Sequence, residues 1–462
     1  MGRTPRPADP PASRPARSRA PGRTSGRRRR GFVLAGFRTG QALDNFRNRS
    51  LWTIGAYGFA AGLPLSLSGF TLRQWLTEGG TSLAAIGLTA NIGLAYTLKF
   101  LWSPLLDQVR PPAGLARFGR RRGWLLAIQP ALAAACLALA LSDPRQTPAL
   151  LVFAAVAIAF LSASQDIVID AWRIETFPER LQGIALAAYV WGYRLALLIS
   201  GAGAIRLASV VGWGSSLCVM AGLVGAGVLV TLAAAEPPQR AAPDGARDLS
   251  GRLRAAVIEP FRDFWQRPGA GQILAFVMLF KLGEALAHTM ATPFYRDMGF
   301  NRDQVALATG VPGLVASLLG ITAGGWLVIR IGTGRALVLT GFVQMASMAL
   351  YFALAVSGGD TRILLAKVML ENFAEAMADA AFLTYLSALC SSAFTATQYA
   401  LLSSLAAVGL RTLGGFSGVL AAALGWVPFY ALTIFAAAPA MLLMLGLLRR
   451  FPPPPRLQAA RP

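Results

Sequence analysis

The chain has 462 residues, of which 55% are hydrophobic and only 14% charged, with a mean hydropathy of +0.52. A soluble chain of this size carries roughly 25% charged residues, so soluble multidomain, disordered and collagen-like classes are excluded. Three cysteines are too few for a disulfide scaffold, and the composition is that of a polytopic membrane protein.

The net charge of +22 is concentrated at the start, where residues 1–50 hold thirteen arginines against Asp9 and Asp44. This stretch is rich in Arg, Pro, Gly and Ala, cannot bury a core, and has no apolar run of a secretory signal. It is expected to be a disordered cytoplasmic tail held by anionic lipid headgroups rather than by nucleic acid.

Twelve apolar stretches follow, at about 52–76, 83–105, 123–142, 149–172, 182–208, 213–234, 271–295, 304–329, 336–356, 362–390, 396–423 and 427–448. Each is long enough to span a bilayer, which needs about 20 residues. The fold class expected is all-α, with six helices over 51–234 and six over 271–448. Arginines fill the even-numbered loops: Arg110, Arg117 and Arg120 to Arg122, then Arg173 and Arg180, then Arg330 and Arg335. The positive-inside rule therefore puts those loops, both termini and the tail 449–462 in the cytoplasm.

The segment 235–270 joins the two groups. In it Leu249, Leu253, Val257, Phe261 and Phe264 recur at helical spacing against Arg252, Arg254, Arg262 and Asp263, which predicts an interfacial amphipathic helix. The halves also repeat. Gly192-Tyr193-Arg194 with Ser200-Gly201 matches Gly409-Leu410-Arg411 with Ser417-Gly418, in the fifth span of each half. Two parallel six-helix repeats describe the major facilitator architecture. Cys136, Cys218 and Cys390 are expected to be small core residues.

The chemistry lies in charges placed inside apolar spans, each costing roughly 2.5–3.5 kcal/mol unless paired or used. Forty basic residues are Arg and three are Lys, and all three lysines, Lys99, Lys281 and Lys367, fall within spans. The fourth span has Gln165, Asp166 and Asp170, the two carboxylates on one face. The seventh has Lys281, Glu284 and His288, and the tenth has Lys367, Glu371, Asn372, Glu375 and Asp379. Carboxylates stacked on one face cannot all ionise cheaply, which points to proton coupling. Asp166, Asp170, Glu284, Glu371, Glu375 and Asp379 are the proton-coupling candidates. At the end of the second span, Asp107, Arg110, Arg120 and Arg121 are expected to form a conformational latch. A single histidine leaves too few ligands for a histidine-built metal centre, and no phosphate-binding loop suggests an enzyme or a nucleotide-driven pump, so no cofactor is expected.

Particular strings resemble the AmpG family of muropeptide permeases: Gly62-Leu-Pro-Leu65, Lys99-Phe-Leu-Trp-Ser-Pro-Leu-Leu-Asp107 and Gly119-Arg-Arg-Arg-Gly-Trp-Leu-Leu126. So do Ser162-Ala-Ser-Gln-Asp-Ile-Val-Ile-Asp-Ala-Trp172, Pro260-Phe-Arg-Asp-Phe264, Lys281-Leu-Gly-Glu-Ala285 and Ala396-Thr-Gln-Tyr-Ala-Leu-Leu-Ser403. The likeness runs in order from about residue 52 to 448, although Glu284 stands where the family has Asp and the Arg-rich tail has no counterpart.

The resemblance implies a monomeric, multi-pass protein of a bacterial inner membrane that takes up anhydromuropeptides with protons for cell-wall recycling. Such a substrate carries carboxylates and sugar hydroxyls. Lys99, Arg194, Lys281 and Arg411 are expected to hold the carboxylates, Gln165 and Asn372 the hydroxyls, and Tyr193 or Trp172 to stack on a ring. A transporter of another substrate (an acetyl-CoA-like anion, or exported amphipathic compounds) and a membrane scaffold remain as alternatives.

Overall fold

In the computed structural model, Gly2 and residues 49–79, 89–112, 114–238, 258–414 and 416–450 are described. The Arg-rich stretch 3–48, the tail 451–462 and the linker residues 239–257 lie outside them, and so do the expectations placed there. Among the described residues the regular structure is helical and no strand occurs.

Among the described residues the two halves hold twelve helical segments, several of them interrupted. In the first half they are α1 (Arg49–Leu67, resuming as Phe70–Glu78), α2 (Thr89–Gly93 through Ser103–Gln108), α3 (Arg120–Ala140), α4 (Pro148–Thr176), α5 (Glu179–Val211) and α6 (Trp213–Ala233). In the second they are α7 (Ala270–Asp297), α8 (Arg302–Thr309 and Val311–Ile331), α9 (Thr333–Ser357), α10 (Thr361–Ala388), α11 (Thr395–Gly414 and Ser417–Leu424) and α12 (Trp426–Arg450). Eight of these, α3 to α9 and α12, are long and apolar enough to cross a membrane by composition alone. Of the other four, α10 carries Lys367, Glu371, Glu375 and Asp379 inside its span.

Within the first half α1 packs on α5, and α3 on α4 and α6. Within the second, α10 packs on α8 and α9, and α7 on α11 and α12. The halves meet along α5 with α8 and α10, and along α11 with α2 and α4. Equivalent glycines make equivalent contacts. A methyl group on Gly192 would collide with the Gly55 carbonyl of α1, and one on Gly409 with the Met278 carbonyl of α7. The sequence repeat thus coincides with the same close helix crossing in both halves.

One expectation changes. Cys218 is exposed on α6 rather than in a core, because a lipid-facing surface is as apolar as an interior. The linker helix is seen over residues 258–265, with Phe264 buried and Trp265 exposed, while Leu249, Leu253 and Val257 lie outside the described residues.

Candidate functional site

Backbone irregularity marks where the polar residues sit. Lys99 opens a 3-10 turn that interrupts α2, and Lys281 stands in a break of α7 between Leu279 and Leu282. Broken helices are tolerated at membrane depth where they are enclosed by protein or line a cavity.

In the second half the charged side chains join into a relay across α7, α9 and α10. Lys367 Nζ lies 2.5 Å from Glu371 Oε2 and donates to the Tyr295 hydroxyl at 2.6 Å. Its ammonium also sits 3.5 Å from the centre of the Tyr351 ring, a cation–π contact in a desolvated setting. Glu371 Oε1 pairs with His288 Nε2 at 2.8 Å, and the same nitrogen is 3.6 Å from Glu375 Oε2. One turn further, Lys281 Nζ lies 2.7 Å from Asp379 Oδ1 and 3.1 Å from Glu284 Oε1. Gln344 of α9 donates to Glu284 Oε2 at 2.8 Å. Burial grades along the relay. The Lys367–Glu371 pair is sealed, whereas His288, Glu375 and Asp379 are partly open.

The ligand atoms of Glu284, His288 and Glu375 lie within 4.8 Å of one another, close enough to hold a metal ion. The Lys281 ammonium bonded to Glu284 already supplies a cation there.

In the first half Asp170 is shared between Lys99, at 3.9 Å, and Arg173, at 3.5 Å. Asp166 lies one helical turn away, and its Oδ1 is buried with no hydrogen-bond partner. Arg173 is fully buried. It donates to Gln182 at 2.8 Å and to Ser387 of the other half at 3.3 Å, and lies over the Tyr399 ring at 5.3 Å.

Other residues expected at the site are placed elsewhere. Trp172 is fully buried in the first half, edge-on to Tyr57, and its indole donates to the Ala235 carbonyl at 2.8 Å. Gln165 is buried and donates to the Ala60 carbonyl of α1 at 3.1 Å. Asn372 accepts from Ser317 of α8 at 3.2 Å and donates to Val368 O at 2.8 Å. These three serve helix packing. A helix turns 100° per residue, so Trp172, two residues past Asp170, points about 200° away from it. Tyr193 is half-buried, 5.8 Å from Tyr189, and Arg194 is exposed with no ion pair among the described residues. The side chain of Arg411 lies outside the described residues.

Of the residues expected to form a latch, Arg121 is buried between Asp107 at 2.7 Å and Glu175 at 2.5 Å. Arg120 donates to the Asp107 carbonyl at 2.9 Å and lies 3.4 Å from Glu175, while Arg110 is exposed and joins no ion pair among the described residues. Glu236, just past α6, accepts from the backbone N–H groups of Arg121 and Arg122 at 2.8 and 2.9 Å, capping α3. Asp107 Oδ2 reaches into the other half, accepting from the Thr397 N–H at 3.1 Å and its hydroxyl at 3.2 Å. Gln108 to Ala393 O at 3.1 Å and Thr333 to Glu179 at 3.4 Å add to the same end. The arginine-rich end of the molecule is thereby closed. Sequence reasoning passed over Glu175, Glu236, Gln344, Tyr295 and Thr397, since the partners lie far along the chain.

The Major Facilitator Superfamily model matches residues 54–295. The chain is 40% identical over 390 residues to the anhydromuropeptide permease of Escherichia coli, covering 84% of this chain and 77% of that one. It is 34% identical over 404 residues to a Rickettsia conorii protein named as transporter AmpG 4, covering 87% and 97%. Among solved structures it is similar to the Escherichia coli fucose:proton symporter FucP, with a TM-score of 0.62 at 12% identity, covering 86% of this chain and 97% of that one. The human organic anion transporter MFSD10 gives a TM-score of 0.60 at 14% identity, covering 86% and 97%.

Proposed function

Because the chain belongs to the AmpG family of the major facilitator superfamily, we propose that it imports anhydromuropeptides across a bacterial inner membrane together with protons. It is a multi-pass secondary transporter and not an enzyme. The substrate class follows from the 40% identical permease. With the arginine-rich loops in the cytoplasm, both termini lie there too, and the closed end is the cytoplasmic one. This state then faces the periplasm, and import requires that end to open.

The observation that carries the coupling is the charge balance of the α7–α10 relay. Among the described residues Glu284, Glu371, Glu375 and Asp379 make their ion pairs with Lys281, Lys367 and His288. Counted over these ion-paired groups, with His288 charged, one negative charge is in excess, and one more proton balances it. In a poorly solvated cavity such a cluster gains from taking up that proton. Glu375 and Asp379, the partly open carboxylates, are the groups placed to exchange it, with Asp166 and Asp170 as the counterpart in the first half. Lys99, Lys281, Arg194 and Arg411 are the cations assigned to the substrate's carboxylates, with Tyr193 as the ring available for stacking. A carboxylate arriving at Lys281 would compete with Asp379 and Glu284 for the same ammonium, which links substrate binding to protonation of the relay.

The test is uptake of labelled anhydromuropeptide into proteoliposomes, with and without an inward pH gradient, for the wild type and Glu375→Gln. Gradient-driven accumulation lost in the variant supports the reading. Accumulation indifferent to the gradient overturns the coupling, and no uptake by folded protein overturns the substrate.

A further inference from the structure

Two of the strings that resemble the AmpG family, Pro260-Phe-Arg-Asp-Phe264 in the linker and Ala396-Thr-Gln-Tyr399 at the start of α11, carry no residue assigned to substrate or proton. They touch through one side chain. Gln398 is fully buried, and its amide nitrogen donates to the Pro260 carbonyl at 3.1 Å and to Asp263 Oδ2 at 2.7 Å. Its amide oxygen accepts from the Ser391 N–H at 2.7 Å and from Arg267 at 3.1 Å. Arg267 closes the ring, pairing with Asp263 at 2.5 Å and donating to the Leu389 carbonyl. Both hydrogens and both lone pairs of the amide are thus used, and they join the linker helix, the α10–α11 turn and the first turn of α11. The next residue back is Thr397, whose N–H and hydroxyl hold Asp107 of the other half.

We propose that Gln398, with Asp263 and Arg267 of the linker, is a positioning device for the cytoplasmic gate. It fixes the first turn of α11 so that Thr397 meets Asp107, and it makes closure of that end depend on how the linker helix is docked. Backbone N–H groups at a helix start hold an anion only if their direction is fixed, and here a side chain of the same turn is anchored at four points. The linker is the covalent connection between the halves, so its docking onto α11 gives it a direct hold on the contact that rocking must break. The inference rests on alternating access by this transporter, but not on its substrate or coupling ion.

The experiment is a spin-label distance measurement on full-length protein in lipid nanodiscs. Labels go on Arg110→Cys and Ser392→Cys, exposed positions on opposite halves at the closed end, with the native cysteines replaced by serine. In the parent the short-distance population dominates. Gln398→Leu is expected to raise the open-to-closed ratio about fivefold or more, the shift that loss of one net hydrogen bond produces. Asp263→Ala, at a half-exposed position that tolerates truncation, is expected to shift it in the same direction and carries the test if Gln398→Leu does not fold. Combining Gln398→Leu with Asp107→Asn should add little beyond either alone, since both act on the Thr397 contact. An unchanged distance distribution in folded Gln398→Leu, or in Asp263→Ala where it stands in, overturns the proposal. The measurement uses neither muropeptide nor a gradient, so failure of the substrate reading leaves it intact.

Discussion

Lys281 of α7 lies 2.7 Å from Asp379 of α10, an ion pair that ties two helices of the second half together while Glu284 holds the same ammonium at 3.1 Å. One cation shared by two carboxylates is stable only while it stays. Lys281→Met is expected to lower the melting temperature in detergent and abolish uptake, because two carboxylates then face each other in a poorly solvated site. Adding Asp379→Asn should recover part of the stability without recovering transport. A double-mutant cycle on melting free energies should give a coupling of about 1–3 kcal/mol. Additive effects would show that the pair does not act as a unit.

Glu371 and Glu375 stand one turn apart on α10 but are expected to behave differently. Glu371 is sealed against Lys367, so Glu371→Gln leaves a buried ammonium beside Tyr295 and the Tyr351 ring with no carboxylate paired to it among the described residues. Breaking a buried pair costs about 3–5 kcal/mol, and the variant should be recovered poorly and melt early. Glu375→Gln, at a partly open position, should fold normally and lose accumulation against a gradient while retaining downhill exchange. Thermal melting beside gradient-driven uptake and counterflow separates the two. Equal melting temperatures would remove the distinction.

Trp172 offers the converse case. Its ring is buried against Tyr57 and its indole N–H is bonded to Ala235 O, so Trp172→Ala should cost about 3–5 kcal/mol of stability. Whatever protein survives should show an unchanged KM for substrate. A raised KM with normal melting would place the ring at the substrate after all.

The helices, their number and the paired charges within one helix were legible because each depends on short spacing. Lys281 with Glu284, and the face shared by Glu371, Glu375 and Asp379, follow from helical geometry alone. Helical phase would also have removed Trp172, which lies off the face of Asp166 and Asp170. What spacing could not give is the partner across the fold. Asp379 could be seen as a stacked acid, but nothing local selects Lys281 for it, and Thr397 lies 290 residues from Asp107. Glu175 and Glu236 look like solvated acids at helix ends until folding brings α3 between them.

The repeated glycines give a prediction about the fold with a control on the same molecule. Gly192 and Gly409 let α5 cross α1, and α11 cross α7, at backbone contact. Gly192→Ala and Gly409→Ala should each push a helix pair apart, at a cost of at least about 1–3 kcal/mol. Gly222 on α6 has nothing within 4 Å of an added methyl group, so Gly222→Ala should be neutral or slightly stabilising through helix propensity. Melting curves of the three purified variants decide it. Because α5 and α11 both lie on the interface between the halves, the first two should also slow transport even where folded protein is obtained. If Gly192→Ala and Gly409→Ala melt with Gly222→Ala, the matching glycines are not what sets the two equivalent crossings.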